Sequence, residues 1–269
     1  MACRLNELLK AVVLGVIQGF TEWLPISSTG HLKICENVLG LKVPLVFDVA
    51  LHVGTLAVVL AFFRSDVAAI LKALANLNFK TEHGKLIPLI VVGMLPTAVI
   101  GWLFYKFLEH IFQELSTTAL AFVVCGLFLW LTKIGRERLA DVRYREAFLM
   151  GVAQGLAVVP GLSRSGLTIA VALVLGVKRE KAFKFSFLLS VPAVVGALAL
   201  TLYEEYSALF TSTFGFFEIS AGAVAAMTVG YLALKLLWKI LANGKFYLFA
   251  IYCWLLGISL LTAIFYGVF

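Results

Sequence analysis

Near its start the chain reads Gln18-Gly19-Phe20-Thr21-Glu22-Trp23-Leu24-Pro25-Ile26-Ser27-Ser28-Thr29-Gly30-His31, a polar run between apolar flanks. Proline breaks a helix because it lacks the N–H and clashes with the preceding turn, and serine or threonine suits the start of a new helix. The run therefore predicts a helix, a break at about 24–27 and a second helix from Ser28. Gln18 and Glu22 are four residues apart and share one face of the first helix, so an acid, a hydroxyl and the His31 imidazole are able to converge there.

The composition around this run is that of a membrane protein. Of the 269 residues 62% are apolar and 14% are charged, whereas a soluble domain has roughly 45–50% apolar residues. This excludes a disordered chain, a collagen-like repeat and a soluble coiled coil. The net charge of +7 is accounted for by the Lys and Arg that accumulate in cytoplasmic loops, and no basic face indicates a nucleic-acid partner.

Runs of about 20 apolar residues predict the membrane crossings. Six runs qualify, the first of them interrupted only by Asp48: 44–63, 86–105, 115–132, 185–203, 219–234 and 246–269. Two further stretches, 8–40 and 146–177, carry Pro, Gly, Ser and charge at their centres. The sequence thus predicts an all-α integral membrane protein, one domain over 1–269, with about six transmembrane helices and two interrupted segments.

The charges of the loops predict the orientation. Basic residues cluster in loops expected to face the cytoplasm, at 64–85, 133–145, 178–184 and 235–245, while 106–114 and the Glu-containing loop 204–218 are expected outside. Segment 146–177 then enters and returns on the cytoplasmic side, and segment 8–40 does so on the outer side. Both are predicted to be re-entrant, broken-helix hairpins. Placing segment 8–40 on the outer side leaves four cations outside, against the positive-inside trend: Arg4, Lys10, Lys33 and Lys42.

The chain also resembles itself. Shifted by 136 positions, Gly15-Val16-Ile17-Gln18-Gly19 falls on Gly151-Val152-Ala153-Gln154-Gly155, Ser27 on Ser163 and Gly30 on Gly166. This predicts repeat one over about 1–134 and repeat two over about 135–269. Three crossings separate the copies, and an odd number inverts the second copy. Inverted repeats place broken helices opposite each other near the bilayer midplane, where irregular backbone lines a polar cavity.

The second interrupted segment contains a buried charge. It reads Val159-Pro160-Gly161-Leu162-Ser163-Arg164-Ser165-Gly166-Leu167-Thr168. An arginine at the bilayer centre costs about 2.5–3.5 kcal/mol on insertion scales, so Arg164 is expected to meet an anion in a cavity. A guanidinium binds phosphate through two parallel hydrogen bonds, and the N–H groups of a helix start add affinity for anions. The two segments together predict a phosphate-sized anion site with a hydroxyl nucleophile and a base.

Plainer interpretations of the same residues stay open. The serines and Thr29 suit helix caps, Glu22 and Arg164 suit a structural ion pair, and His31 suits a polar contact between helices. The architecture also fits a secondary transporter or a flippase for an anionic lipid or organic anion.

The two motifs, Gln18-x-x-x-Glu22 with Pro-Ile-Ser-Ser-Thr-Gly-His and Pro160-Gly161-Leu-Ser163-Arg164-Ser165-Gly166-x-Thr168, resemble the bacterial undecaprenyl pyrophosphate phosphatase family, known also through bacitracin resistance. The likeness covers the whole chain. It implies an enzyme of the inner membrane that removes the terminal phosphate of a C55 polyprenyl pyrophosphate and so recycles the lipid carrier of peptidoglycan synthesis. It also implies an active site open to the outer face. The oligomeric state is not readable from the sequence, and a homodimer is one candidate.

The resemblance also assigns roles to residues. Ser28 is expected to be the nucleophile, with Ser27 or an activated water as alternatives, and Glu22, His31 and Arg164 are the other catalytic residues. Glu22 is expected to hold a divalent cation, Mg²⁺ or Ca²⁺, together with the pyrophosphate. Seven residues are expected to bind substrate: Gln18, Ser27, Thr29, Ser163, Ser165, Gly166 and Thr168.

The sequence departs from the family pattern at two places. Some members carry Glu where this chain has Gln18. Gln18 cannot act as a base or as a strong metal ligand, so more of the chemistry falls on Glu22. Asp48 and His52 stand where related sequences often have Glu and Gln, and the sequence leaves their role open.

Overall fold

A computed structural model describes residues 2–39, 43–108, 114–204 and 214–267 of the protein. These residues form α-helices joined by short connections. In chain order the helices are α1 (Ala2–Trp23), α2 (Ser28–Leu39), α3 (Leu45–Phe62), α4 (Arg64–Ala75), α5 (Leu86–Leu103), α6 (Leu115–Leu131), α7 (Tyr144–Leu156), α8 (Arg164–Val174), α9 (Arg179–Glu204), α10 (Phe216–Ala242) and α11 (Leu248–Phe265). A π-helical turn extends α5 to Leu108.

The six predicted crossings are confirmed as helices that are long and apolar enough to span a bilayer. Within the described residues these spans are Leu45–Phe62, Leu86–Phe107, Leu115–Ile134, Arg179–Glu204, Phe216–Ala242 and Leu248–Phe265. The predicted outer loops fall largely on 109–113 and 205–213, which lie outside the described residues. The protein is therefore an all-α, multi-pass membrane protein.

The predicted helix breaks are confirmed as well. α1 ends at Trp23 and α2 begins at Ser28, so the break covers the four residues around Pro25. α7 ends at Leu156 and α8 begins at Arg164, with Gly161 at φ +100° in the connection. Ser27 has φ +66°, a left-handed conformation that is unfavourable for a residue with a side chain. The irregular backbone of both segments lies where the polar motifs are.

Close helix packing explains the glycines that the two halves share. A Cβ at Gly15 on α1 would overlap the carbonyl of Gly222 on α10, and a Cβ at Gly151 on α7 would overlap the carbonyl of Gly93 on α5. Small residues let helix backbones approach in this way. The repeated Gly-x-x-x-Gly spacing therefore reflects one packing requirement met twice.

The contacts also give the relative direction of these helices. Gly15 and Gly19 meet Gly222 and Ala226 in increasing order, so α1 and α10 run parallel, and α7 and α5 run parallel in the same way. The loop charges predict that α5 and α10 cross the membrane in opposite directions. If they do, α1 and α7 also run in opposite directions, as an inverted repeat requires. The inverted repeat, its boundaries and the re-entrant topology stay predictions.

A core of aromatic side chains supports the two breaks. Trp23 and Phe187 are almost fully buried, with their ring centroids 5.5 Å apart. Phe187 also packs on Phe183, at 4.7 Å, and on Phe63, at 6.0 Å. Because interiors are close-packed, this cluster holds the end of α1 against α9.

We expect Gly15→Ala and Gly151→Ala each to lower the free energy of unfolding by about 1–3 kcal/mol, because each adds a methyl group between two backbones. Thermal unfolding of the purified protein in detergent measures the change. Gly196→Ala on α9 is the matched control, since a Cβ there meets no atom within 4 Å, and it should be neutral or stabilise by about 0.5–1 kcal/mol. Equal effects at all three positions would contradict the packing argument.

Candidate active site

An ion pair between the two halves of the chain forms the centre of the site. Glu22 ends α1 and Arg164 begins α8, and Nη2 of Arg164 donates to Oε1 of Glu22 at 2.7 Å. The side chain of Glu22 is 8% exposed and that of Arg164 is 17% exposed. The structure thus brings together the two charges that the sequence predicted to meet, although they lie 142 residues apart.

The other carboxylate oxygen of Glu22 accepts two hydrogen bonds. Oγ of Ser28 donates to Oε2 at 2.6 Å, and Nε2 of Gln18 donates to the same oxygen at 3.1 Å. The amide nitrogen of Gln18 must face Glu22 because a carboxylate only accepts. Ser28 is therefore the hydroxyl that lies on a base.

Arg164 is held from its other side by the first hairpin. Its guanidinium carbon lies 5.3 Å from the centre of the Trp23 ring, a cation–π distance. Oγ of Ser165 donates to the Trp23 carbonyl at 3.0 Å. α8 is therefore bonded directly to the end of α1, which fixes the direction of the arginine.

Ser27 occupies a structural position next to the site. Its Oγ accepts from the N–H of Gly30, at 3.3 Å, which caps α2, and from the N–H of Gly161 in the other hairpin, at 3.1 Å. Ser163 caps α8 through the same type of bond to Gly166, at 3.1 Å. The two serines that the sequence aligned thus have the same capping role. Both lone pairs of the Ser27 hydroxyl are used, so this geometry favours Ser28 over Ser27 as the nucleophile.

The residues predicted to bind substrate divide into two groups. Ser163, Ser165 and Thr168 are buried and bonded to protein, Thr168 to the Arg164 carbonyl at 2.8 Å. Gly166 gives its N–H to the cap, while Thr29, at the start of α2, is exposed. The buried hydroxyls lock the hairpins together; contact with a substrate stays a prediction for all of them.

His31 is oriented by a residue that the sequence analysis did not identify. Nδ1 lies 2.7 Å from the Ser27 carbonyl and Nε2 lies 2.6 Å from the hydroxyl of Tyr252 on α11. A carbonyl only accepts, so Nδ1 carries the proton, and Nε2 of the neutral ring accepts from Tyr252. The two rings stack at 5.7 Å. His31 is thus paired with Tyr252, and Glu22 rather than His31 holds the Ser28 hydroxyl.

Tyr252 carried no signal in the sequence, because it lies in an apolar span 221 residues from His31. His52 on α3 is the second residue whose position only the fold reveals. Its Nδ1 lies 3.0 Å from the Asp48 carbonyl and 3.5 Å from Oδ2 of the Asp48 carboxylate.

The donor set at the centre fits a cation only in part. Among the described residues no group of three His, Cys, Asp or Glu side chains is arranged to hold a metal ion. Oε1 of Gln18 is buried without a hydrogen-bond partner, but the Gln18 amide turns its nitrogen and not this oxygen to Glu22. The single carboxylate of Glu22 suits Mg²⁺ that is bound mainly through substrate phosphates. The residues thus fit an ion that shares its ligands with the substrate.

An apolar groove lies next to the site on the surface of the bundle. It has a volume of about 630 Å³ and is lined by α1, α2, α10 and α11. His31 and Tyr252 are at its polar edge, and Phe20, Leu248 and Phe249 are among its apolar walls. The groove thus runs along an apolar surface to His31, which lies three residues after Ser28 on α2.

A bundle of apolar spans that encloses a carboxylate, a guanidinium and a serine defines an integral membrane protein with a buried site for an anionic group. The family model described as bacitracin resistance protein BacA matches residues 11–259. The chain belongs to that family.

Three relatives match over nearly their whole length, and each is named undecaprenyl-diphosphatase. The protein of Carboxydothermus hydrogenoformans is 43% identical over 259 residues, covering 94% of this chain and 96% of its own. That of Desulforapulum autotrophicum is 42% identical over 276 residues, covering 96% and 98%. That of Methanobrevibacter smithii is 36% identical over 268 residues, covering 94% and 96%.

We expect Tyr252→Phe to change the hydrogen bonding of His31 and to lower the free energy of unfolding by about 0.5–1.5 kcal/mol, the net value of one hydrogen bond. Nitrogen-15 NMR of labelled histidine reports the first change and thermal unfolding the second. Tyr231→Phe removes a hydroxyl from an exposed ring on α10 and serves as the control. Unchanged His31 signals in Tyr252→Phe would rule out the pairing.

Proposed function

We propose that this protein hydrolyses the terminal phosphate of undecaprenyl pyrophosphate and releases the monophosphate, so that the lipid carrier of the cell wall is recycled. The observation that carries the proposal is the Ser28–Glu22–Arg164 arrangement, in which a hydroxyl lies 2.6 Å from a carboxylate and an arginine 2.7 Å from the same group. The names of the relatives indicate the substrate. The family description adds a role in resistance to bacitracin.

In the first step Ser28 attacks the terminal phosphorus. Its proton passes to Oε2 of Glu22 as the new Oγ–P bond forms. The bond from that phosphorus to the bridging oxygen breaks, and the electron pair leaves with the polyprenyl monophosphate. Glu22 is placed for this transfer, because its hydrogen bond to Ser28 already exists in the resting protein.

Arg164 stabilises the charge that spreads over the transferred phosphoryl group. The same proton transfer helps it to do so. Once Glu22 is protonated it no longer binds the guanidinium as an anion, and the charge of Arg164 becomes available to the phosphate oxygens. Arg164 therefore pairs with Glu22 before the reaction and contacts the phosphate oxygens during it.

In the second step water hydrolyses the phosphoserine. Water forms a bond to phosphorus, the Oγ–P bond breaks, and protonated Glu22 returns its proton to Oγ while inorganic phosphate leaves. The alternative chemistry has a base-activated water attack the pyrophosphate directly, with Ser28 only holding phosphate. His31, positioned by Tyr252, contributes a second titrating group at the edge of the site.

The groove beside His31 provides a path for the polyprenyl chain. A diphosphate at Arg164 and a hydrocarbon tail on the surface that includes Phe20 and Phe249 would place both parts of the substrate in matching environments. The groove is open along the bilayer side of the bundle, so a long chain extends into lipid without being enclosed.

A divalent cation, Mg²⁺ or Ca²⁺, would be held by Glu22 and the pyrophosphate oxygens. Such an ion would neutralise part of the diphosphate charge. A homodimer stays a prediction, since the contacts of the described residues do not test it.

Phosphate release from detergent-solubilised undecaprenyl pyrophosphate tests the function. We expect robust release by the wild type, loss of release on chelation of divalent cations, and a fall of at least about a hundredfold in Arg164→Ala, because a preorganised charge on the transition state is removed. Arg164→Lys, which keeps the charge and loses the planar fork, should also be strongly impaired and guards against a variant that does not fold. If the folded wild type releases no phosphate but moves lipid across vesicle membranes, the protein is a carrier and the phosphatase proposal is wrong.

Two serine variants in the same assay separate the chemical routes. Ser28→Ala should abolish release, whereas substantial residual turnover would rule out Ser28 as the nucleophile and leave Ser27 or an activated water. Ser220→Ala, whose hydroxyl only bonds the α10 backbone, should leave the rate unchanged.

We further propose that the protein lies in the inner membrane with the site open to the outer face. Thr29 is exposed beside Ser28, so Thr29→Cys, in a chain with its native cysteines replaced by serine, should react with a membrane-impermeant maleimide added from outside. Lys72→Cys, at an exposed position of α4, should react only after the membrane is opened. The reverse pattern would invert the topology.

A further inference from the structure

The short helix α4 lies in the connection between two membrane spans. It has 12 residues, whereas a helix needs about 20 to cross a bilayer. Because α3 and α5 both span the membrane, the connection between them, residues 63–85, lies at one membrane surface. The loop charges predict this surface to be the cytoplasmic one. α4 therefore runs where the bilayer meets water.

One stripe of α4 is held against the bundle. Asp66, Ile70 and Ala73 follow one another at intervals of four and three residues and so share a face. Oδ1 of Asp66 accepts from Nζ of Lys184 at 2.8 Å and lies 3.0 Å from Nε2 of His83. Ile70 packs on the apolar core and Ala73 is buried. These contacts fix which side of α4 faces away from the bundle.

A second stripe of α4 is apolar and exposed. Leu71 is 58% exposed and Leu74, three residues later, is 46% exposed. The turn after the helix adds Leu77, 73% exposed, and Phe79, 43% exposed. Leu77 has φ +50°, a left-handed conformation in which glycine is the usual residue after a helix. Four large apolar side chains therefore face outward between 71 and 79.

The other described connections at this end of the bundle keep their apolar side chains covered. No large apolar side chain is exposed in 135–143, 175–178 or 243–247. Val142, Val177 and Phe246 are buried there. Exposed apolar patches on a protein mark a surface of interaction. The side chains of α4 thus follow the pattern of a segment with apolar surroundings.

The same segment presents cations beside its apolar stripe. Three exposed cations take no part in an ion pair among the described residues: Arg64, Lys72 and Lys80. Both acids of the connection lie against lysines of α9, Asp66 at 2.8 Å from Lys184 and Glu82 at 3.5 Å from Lys181. The unpaired charge of the connection is therefore positive, which complements anionic lipid head groups.

We propose that α4 and the turn after it bind the surface of an anionic lipid leaflet. The four exposed apolar side chains lie among the upper acyl chains, and the three unpaired cations contact the phosphates of the head groups. Helices with one apolar face and Lys or Arg on the polar face lie in the interface in this way. The surface is separate from the active site, and the proposal does not depend on the reaction.

The test measures which lipid touches α4 in the full-length protein. A bimane label is placed on Leu74→Cys, in a chain with its native cysteines replaced by serine, and the protein is reconstituted in nanodiscs of equal parts phosphatidylcholine and phosphatidylglycerol. In one preparation the phosphatidylcholine chains carry bromine, which quenches on contact, and in the other the phosphatidylglycerol chains do. Leu71→Cys repeats the measurement on the same stripe.

The matched control position is Ser65→Cys. Ser65 is exposed and lies seven residues before Lys72, on the polar side of α4. Thermal unfolding and phosphate release from the polyprenyl substrate verify that each labelled variant is folded. Since all three labelled positions are remote from the catalytic residues, we expect wild-type release from each.

We expect the label on Leu74 to be quenched at least about threefold more than the label on Ser65, because the bromine lies among the acyl chains. Brominated phosphatidylglycerol should quench the Leu74 label at least about twofold more than brominated phosphatidylcholine, because cations gather anionic lipid around them.

Two double variants test the contribution of the cations. Lys72→Gln with Lys80→Gln should bring the quenching by the two lipids to equality. Arg138→Gln with Lys239→Gln removes two exposed cations from other parts of the same end and should leave the difference unchanged.

Three results would overturn the proposal and leave the phosphatase assignment intact. Absence of quenching at Leu74 and Leu71 by either lipid would mean that water, a second copy of the chain or another protein covers the stripe. Equal quenching at Leu74 and Ser65 would mean that α4 has no lipid-facing side. Equal quenching by the two lipids in the wild type would mean that the surface has no preference for anionic lipid.

Discussion

The ion pair of Glu22 and Arg164 is the contact on which the rest of the structure depends. Each charge is costly in a bilayer when it is alone, and the 2.7 Å contact satisfies both. Removing one partner of a buried pair costs about 3–5 kcal/mol, since the other is left unpaired. The pair therefore holds the end of α1 against the start of α8.

The serine hydroxyls around this pair divide by their hydrogen-bond partners into those that bond the backbone and one that bonds Glu22. Ser27, Ser163 and Ser165 give their hydrogen-bonding capacity to backbone groups, within and between the two hairpins. Ser28, one residue further on, turns its hydroxyl to Glu22. Irregular backbone inside a bilayer must be satisfied by protein. The capping serines meet this requirement, and Ser28 does not duplicate their role.

Arg164 and the start of α8 form a region of positive potential between the two halves of the chain. In the structure the Glu22 carboxylate neutralises this arginine. The backbone dipoles of α8 contribute to the potential, and they need no rearrangement when an anion binds.

The order of apolar runs and helix breakers in the chain was enough to predict the six spans, the breaks before Ser28 and Arg164, and the meeting of Glu22 with Arg164. These features follow from local chemistry: hydrocarbon favours long apolar helices, proline interrupts them, and an unpaired charge needs a partner. The tertiary structure alone decided the pairing of His31 with Tyr252 and the bonds of the Ser27 hydroxyl to the backbone of both segments. Each depends on residues far apart in the chain that come together when helices pack, and such contacts leave no periodicity or spacing in the sequence.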